Sequence, residues 1–154
     1  MLNRLLPRSL NDHYYGSQIG LWLFGIVLFI EGGIGLRSAL QPRLVAMGAD
    51  GLPLDKFDPT ATAAVVALFA LVGLARLAIA LMGVVTLARY RALVPLFYLQ
   101  LLFFQVGSKL LLTLNPITRN DDIGSRSGSA IIWGLTALLV VGFVLSLVGG
   151  RRKS

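Results

Sequence analysis

Four apolar stretches, each long enough to cross a bilayer, take up most of this 154-residue chain. They run from Ile19 to Leu40, Thr60 to Leu87, Val94 to Leu114 and Ser129 to Val148. A helix needs about 20 apolar residues to traverse about 30 Å of hydrocarbon, and each stretch supplies them. A backbone in lipid must satisfy its own hydrogen bonds, so helices are the form open to these stretches. The composition agrees: 14% of the residues are charged, against roughly a quarter in soluble domains. The predicted fold is therefore all-α, one integral membrane domain over 1–154 folded as a left-handed four-helix bundle with short loops. The first stretch reads as a retained signal anchor, because it is long, begins only at Ile19 and carries Glu31.

Local signals set the boundaries. The tail before Ile19 is basic, with Leu2, Leu5, Leu6 and Leu10 at helical spacing and Tyr14 and Tyr15 as interface residues. Proline cannot continue a helix, so Gln41-Pro42 closes the first span. A loop is predicted over 43–57, where Asp50-Gly51 and Pro53 are turn signals. Asp58 is placed to cap the second helix, with Pro59 at its first position. Arg89-Tyr90-Arg91 forms a tight basic turn, Asn115-Pro116 ends the third helix, and 118–128 reads as a polar loop.

The inventory excludes much chemistry. There is no cysteine, which removes disulfides, iron–sulfur clusters, thiolate metal sites and cysteine nucleophiles. The one histidine, His13, precedes the first span, so no histidine ligates a haem within the bilayer. No Walker loop, H-E-x-x-H, dinucleotide fingerprint or nucleophile–base pair is present. The expectation is no metal, no cofactor and no enzyme. Asp50, Asp55 and Asp58 lack EF-hand spacing and read as turn and cap residues. The net charge of +7 lies in short segments beside the spans, which fits anionic lipid rather than nucleic acid.

Those segments also set an orientation. With both termini inside, the cytoplasmic segments hold Arg4, Arg8, Arg89, Arg91, Arg151, Arg152 and Lys153. The longer opposite loops hold Arg37, Arg43, Lys56, Arg119 and Arg126, diluted by five aspartates. Basic density beside the spans therefore predicts a multi-pass membrane protein with both termini cytoplasmic.

Within the spans stand five polar residues: Glu31, Arg76, Gln100, Gln105 and Lys109. A charge at mid-bilayer costs about 3 kcal/mol on insertion scales, so each needs a partner, a cavity or a route to the interface. At 1.5 Å per residue, Glu31 lies about 18 Å beyond Ile19, Arg76 about 16 Å from Leu87 and Gln105 about 16 Å beyond Val94. All three fall at one depth. Small residues flank the charges, with Gly20 and Gly35 on the Glu31 face and Gly73, Ala80 and Gly83 on the Arg76 face. Such residues let backbones approach and shield a charge from lipid. The inferred core is a Glu31–Arg76 ion pair with Gln105 as a third member. Lys109 either joins it or snorkels outward, and Gln100 points elsewhere, marking a partner helix. The pair reads either as a device fixing helix register or as a polar pocket for a proton, an ion or a lipid headgroup. An arginine-neutralised carboxylate is a poor proton carrier, which weighs against a pump. Gly16-Ser-Gln-Ile-Gly20 matches the G-x-x-x-G packing motif, and Trp22 and Trp133 read as interfacial anchors.

Two features carry a resemblance. One is Glu31-Gly-Gly-Ile-Gly-Leu at the end of the first helix, followed by a proline loop. The other is Gly73-Leu-Ala-Arg76 with Met82-Gly83 in the second. Over about residues 19–114 the chain resembles small four-span bacterial membrane proteins of the DoxX-like and related uncharacterised families. The resemblance implies a four-helix bundle, sometimes associated with a partner in respiratory or quinone-linked membranes, and assigns no residue roles. The functional expectation is a non-catalytic accessory or assembly subunit of a larger complex in the bacterial inner (cytoplasmic) membrane, in contact with membrane lipids and other integral membrane subunits. The alternative is a small carrier or binding protein for a lipophilic or protonatable molecule at the Glu31/Arg76/Gln105 level.

Overall fold

A computed structural model describes Tyr14 and residues 16–116 and 123–148, with the side chains of the last helix from Ala130 onward. Five α-helices follow in order: α1 (Gln18–Leu40), α2 (Pro42–Gly48), α3 (Pro59–Arg89), α4 (Val94–Leu114) and α5 (Ile123–Leu147). Short 3₁₀ turns at Leu54–Lys56 and Arg91–Leu93 lead into α3 and α4. No strand occurs among the described residues. Four segments are long and apolar enough to cross a membrane: Gln18–Leu40, Pro59–Arg89, Arg91–Leu114 and Ala130–Leu147. The chain is an all-α, multi-pass membrane protein. The basic tails and residues 117–122 lie outside the described residues, together with the expectations for Tyr15, His13 and Arg151–Lys153.

The helix starts follow their capping chemistry. Ser17 accepts from the Ile19 amide, and Asp58 Oδ2 accepts from the Thr60 amide at 2.9 Å with Pro59 in the first turn. Asp58→Ala is expected to cost about 1 kcal/mol, read as a lower melting temperature of the purified protein in detergent. Gln41 breaks the chain between α1 and α2, its backbone at φ −132°, ψ 54°, because proline at the next position disfavours the helical region.

Two expected loops are partly helical. Residues 43–57 contain α2 and a 3₁₀ turn, because Pro42 that ends α1 also starts α2. Gly51 sits at φ 67°, a conformation that favours glycine, and turns the chain after α2. Ala46, Leu52 and Leu54 are then buried against Phe57, Val65, Val66 and Phe69, so the segment packs on the first turns of α3. Residues 118–128 were expected as loop, yet α5 begins at Ile123. Serine and glycine cost a helix only about 1 kcal/mol each, which neighbouring turns override.

The main core joins Phe24, Val27 and Leu28 of α1, Val94, Tyr98 and Leu101 of α4, and Leu135 and Leu139 of α5. Helix α1 packs most extensively on α3 and next on α5; α4 pairs with α5, while α3 and α4 meet sparsely. The G-x-x-x-G segment lies at a close crossing of α1 with α5. A Cβ at Gly16 would stand 2.5 Å from the Ser146 carbonyl oxygen, and one at Gly20 would stand 3.2 Å from the Ser146 nitrogen. The Ser17 amide donates to the Leu145 carbonyl at 3.1 Å across the same crossing. The Tyr14 hydroxyl is buried at this crossing. Burial pushes this phenol up to about 12, so it stays neutral at ordinary pH. Deeper in, the Tyr98 hydroxyl donates to the Gly20 carbonyl at 2.8 Å. Tyr98→Phe removes that bond and is expected to cost about 1 kcal/mol in thermal unfolding.

Candidate functional site

Glu31 faces α3 because residues 20, 24, 27, 28, 31, 35 and 38 form the buried stripe of α1. On α3 the buried stripe is Gly73, Ala80, Gly83 and Thr86. The two helices touch backbone to backbone where the glycines meet. A Cβ at Gly73 would fall 2.5 Å from the Ala39 nitrogen, and one at Gly35 would fall 2.8 Å from the Leu77 nitrogen. One turn from this contact, Arg76 Nη1 donates to Glu31 Oε2 at 3.1 Å. The side chains are 17% and 5% exposed, respectively, so the pair is held away from lipid on most sides. The Arg76 guanidinium also rests over Phe104 of α4, 5.1 Å from the ring centroid, a favourable cation–π position.

Gln105 is buried on α4. It forms no hydrogen bond to the pair, and instead lines a cavity that Arg76 also lines. This cavity, of about 430 Å³, lies where α3 and α4 meet sparsely. Leu68, Phe69 and Val72 of α3 form one wall, and Phe104, Ser108, Leu111 and Leu112 of α4 another. Ile132 of α5, and Asp50 and Leu52 from the segment after α2, complete it. The volume is typical of a small-molecule site, about 300–1,000 Å³, and the walls are largely apolar with a few polar groups.

Lys109 takes neither course expected of it. It does not join the Glu31–Arg76 pair, and it does not reach outward. Its Nζ lies 3.1 Å from the centroid of the Trp133 ring of α5, facing the π-cloud. Trp133 is therefore a cation platform as well as an exposed aromatic. Among the described residues, two buried side-chain atoms lack a hydrogen-bond partner: Tyr14 Oη and Lys109 Nζ. Trp22 is 77% exposed on the outer face of α1, and Gln100 is exposed on the outer face of α4.

Sequence reading missed the Lys109–Trp133 contact, because two residues on different helices carry no mark of their mutual register. It also passed over Tyr98. Tyr98, Leu101 and Gln105 lie at i, i+3 and i+7 on the buried face of α4, and a hydroxyl among apolar neighbours was the available signal.

Together these features define a helical multi-pass membrane protein with an interior ion pair and a cation-bearing, apolar-walled cavity. No group of three or more histidine, cysteine, aspartate or glutamate side chains able to hold a metal occurs among the described residues. No family model, curated protein or solved structure matches the chain.

Proposed function

We propose that the chain is a small intramembrane binding protein or carrier for a lipophilic molecule. The supporting observation is the cavity between α3 and α4, where apolar walls meet the polar groups of Arg76, Gln105 and Lys109. A water-filled channel would need a polar lining, whereas leucine, valine and phenylalanine walls favour a hydrocarbon-rich guest. Arg76 is the member of the ion pair that lines this site, and Glu31 holds it in place from behind at 3.1 Å. Solvent extraction and mass spectrometry of the purified protein should find a lipophilic molecule at about one per chain. Ser108→Phe, which fills the cavity, should lose it; equal amounts in both proteins would overturn the reading.

A second reading keeps the protein as an accessory or assembly subunit of a larger inner-membrane complex, such as its resemblance to DoxX-like proteins implies. Gln100 favours it, because an exposed carboxamide on a spanning helix gains from a partner helix. Purification in mild detergent at native abundance separates the two: a stable larger complex, lost in Gln100→Leu, supports the subunit, and a lone small oligomer excludes it.

For both readings the orientation is the one basic density favours, in a bacterial inner membrane with the termini cytoplasmic. Reporter fusions at Ser154 and within residues 49–53 should give opposite signals, and an external signal at Ser154 would reverse it.

A further inference from the structure

Resting on the binding reading above, we propose that the guest is a single-chain amphiphile with a carboxylate head, a long-chain fatty acid in chemical class. Its head lies on Lys109 Nζ beside Arg76, and its chain follows the α3 and α4 walls.

The argument begins with charge. Two cations line the cavity, and they are not equivalent. Arg76 has its counter-charge in Glu31 at 3.1 Å. Among the described residues, Lys109 has only the face of Trp133, and its Nζ is buried without a hydrogen-bond acceptor. A lysine ammonium offers three donors, and burying them unused is costly. The ring offsets part of that cost electrostatically, yet accepts no strong hydrogen bond. Lys109 lines the cavity, so its flexible stem can turn Nζ from the ring toward a guest that supplies one anionic oxygen pair. Arg76 adds to the fit, since it spends one N–H on Glu31 and its guanidinium carries five.

The head group follows from the same count. A carboxylate carries a single charge, matching the single cation that Glu31 does not answer. A phosphate monoester carries nearly twice that charge and would bring an uncompensated anion into low dielectric. Asp50 lines the cavity as well, from the segment beyond α2, so each negative charge on the guest adds repulsion and one is favoured over two. The tail follows from the walls. Leu68, Val72, Leu111 and Leu112 are apolar and present no donor that would recognise a sugar or a nucleobase. A volume of about 430 Å³ suits one hydrocarbon chain rather than the two chains and headgroup of a phospholipid. The sparse α3–α4 seam gives a flexible chain sideways entry from the bilayer.

The test uses the full chain in phosphatidylcholine vesicles, with Trp22→Phe in all variants so that Trp133 is the one tryptophan left. Trp22 faces outward, away from the cavity. The probe is 2-bromopalmitate, whose bromine sits beside the carboxylate and quenches tryptophan on contact, compared with its methyl ester, which has the same chain and no charge. The acid should quench saturably and at about tenfold lower concentration than the ester, as loss of a charge-assisted bond implies. Lys109→Gln should bring acid and ester together, and Lys109→Arg should restore the preference, which separates lost charge from a damaged fold. Equal saturable quenching by acid and ester in the unaltered cavity would overturn the carboxylate assignment and leave the binding reading standing. Absence of a saturable phase with either probe, or a phase unchanged by Ser108→Phe, would overturn the binding reading and this assignment with it.

Discussion

Glu31→Gln alone is expected to destabilise the protein by about 3–5 kcal/mol, the usual cost of stranding one member of a buried ion pair. Arg76 would then keep the Phe104 ring but lose the counter-charge that it contacts at 3.1 Å. Replacing both members with apolar residues of similar volume, Glu31→Leu with Arg76→Met, should recover much of the loss, since no charge remains unpaired. The measurement is thermal unfolding of wild type, both single variants and the double variant. Single variants as stable as wild type would show that the pair carries no structural weight. The double variant also informs function. With the cavity walls intact but Arg76 gone, a binding protein should fold and hold its guest more weakly. An accessory subunit should fold and still join its complex.

Gly73→Ala is the second large effect. Its added methyl would meet Ala39 nitrogen at 2.5 Å and the Ser38 carbonyl carbon at 2.7 Å, and these are backbone atoms that no rotamer change can move. Helices α1 and α3 must separate to admit it, at about 3 kcal/mol, the upper end of ordinary overpacking. The same separation pulls Glu31 from Arg76, so the loss should exceed that of the clash alone. Gly33 is the control. A Cβ there meets nothing within 4 Å, so Gly33→Ala should be neutral or stabilise by up to about 1 kcal/mol through helix propensity. Equal melting temperatures for the two variants would mean that the α1–α3 crossing is looser than described.

The parts legible in the sequence were those written within one helix. Hydrophobic runs marked the spans, Asp58-Pro59 marked the start of α3, and the depths of Glu31, Arg76 and Gln105 followed from a constant rise per residue. The glycine stripes added direction, which is why the Glu31–Arg76 contact could be drawn from two separate helices. The parts not legible depend on how helices rotate against each other. Lys109 and Trp133 meet because α4 packs on α5, and nothing within either segment encodes that pairing. Helix α2 was hidden for another reason. It has seven residues, too few for a clear period, and is held by burial of Ala46 against α3 rather than by its own propensity.

The length of α3 has a consequence for the membrane itself. Its 31 residues make a rod of about 46 Å, against about 30 Å of hydrocarbon. Helix α1, with 23 residues, spans only about 34 Å. The first turns of α3 are covered by α2 and the Leu54–Lys56 turn, so that end of the rod has protein beside it. The mismatch is taken up by tilt, and the cost of tilt depends on the thickness of the surrounding lipid. A thin bilayer leans α3 further over and a thick one draws it upright. The sparsely packed seam with α4 is the side with least packing to resist that lean, so acyl-chain length is expected to widen or narrow the mouth of the cavity.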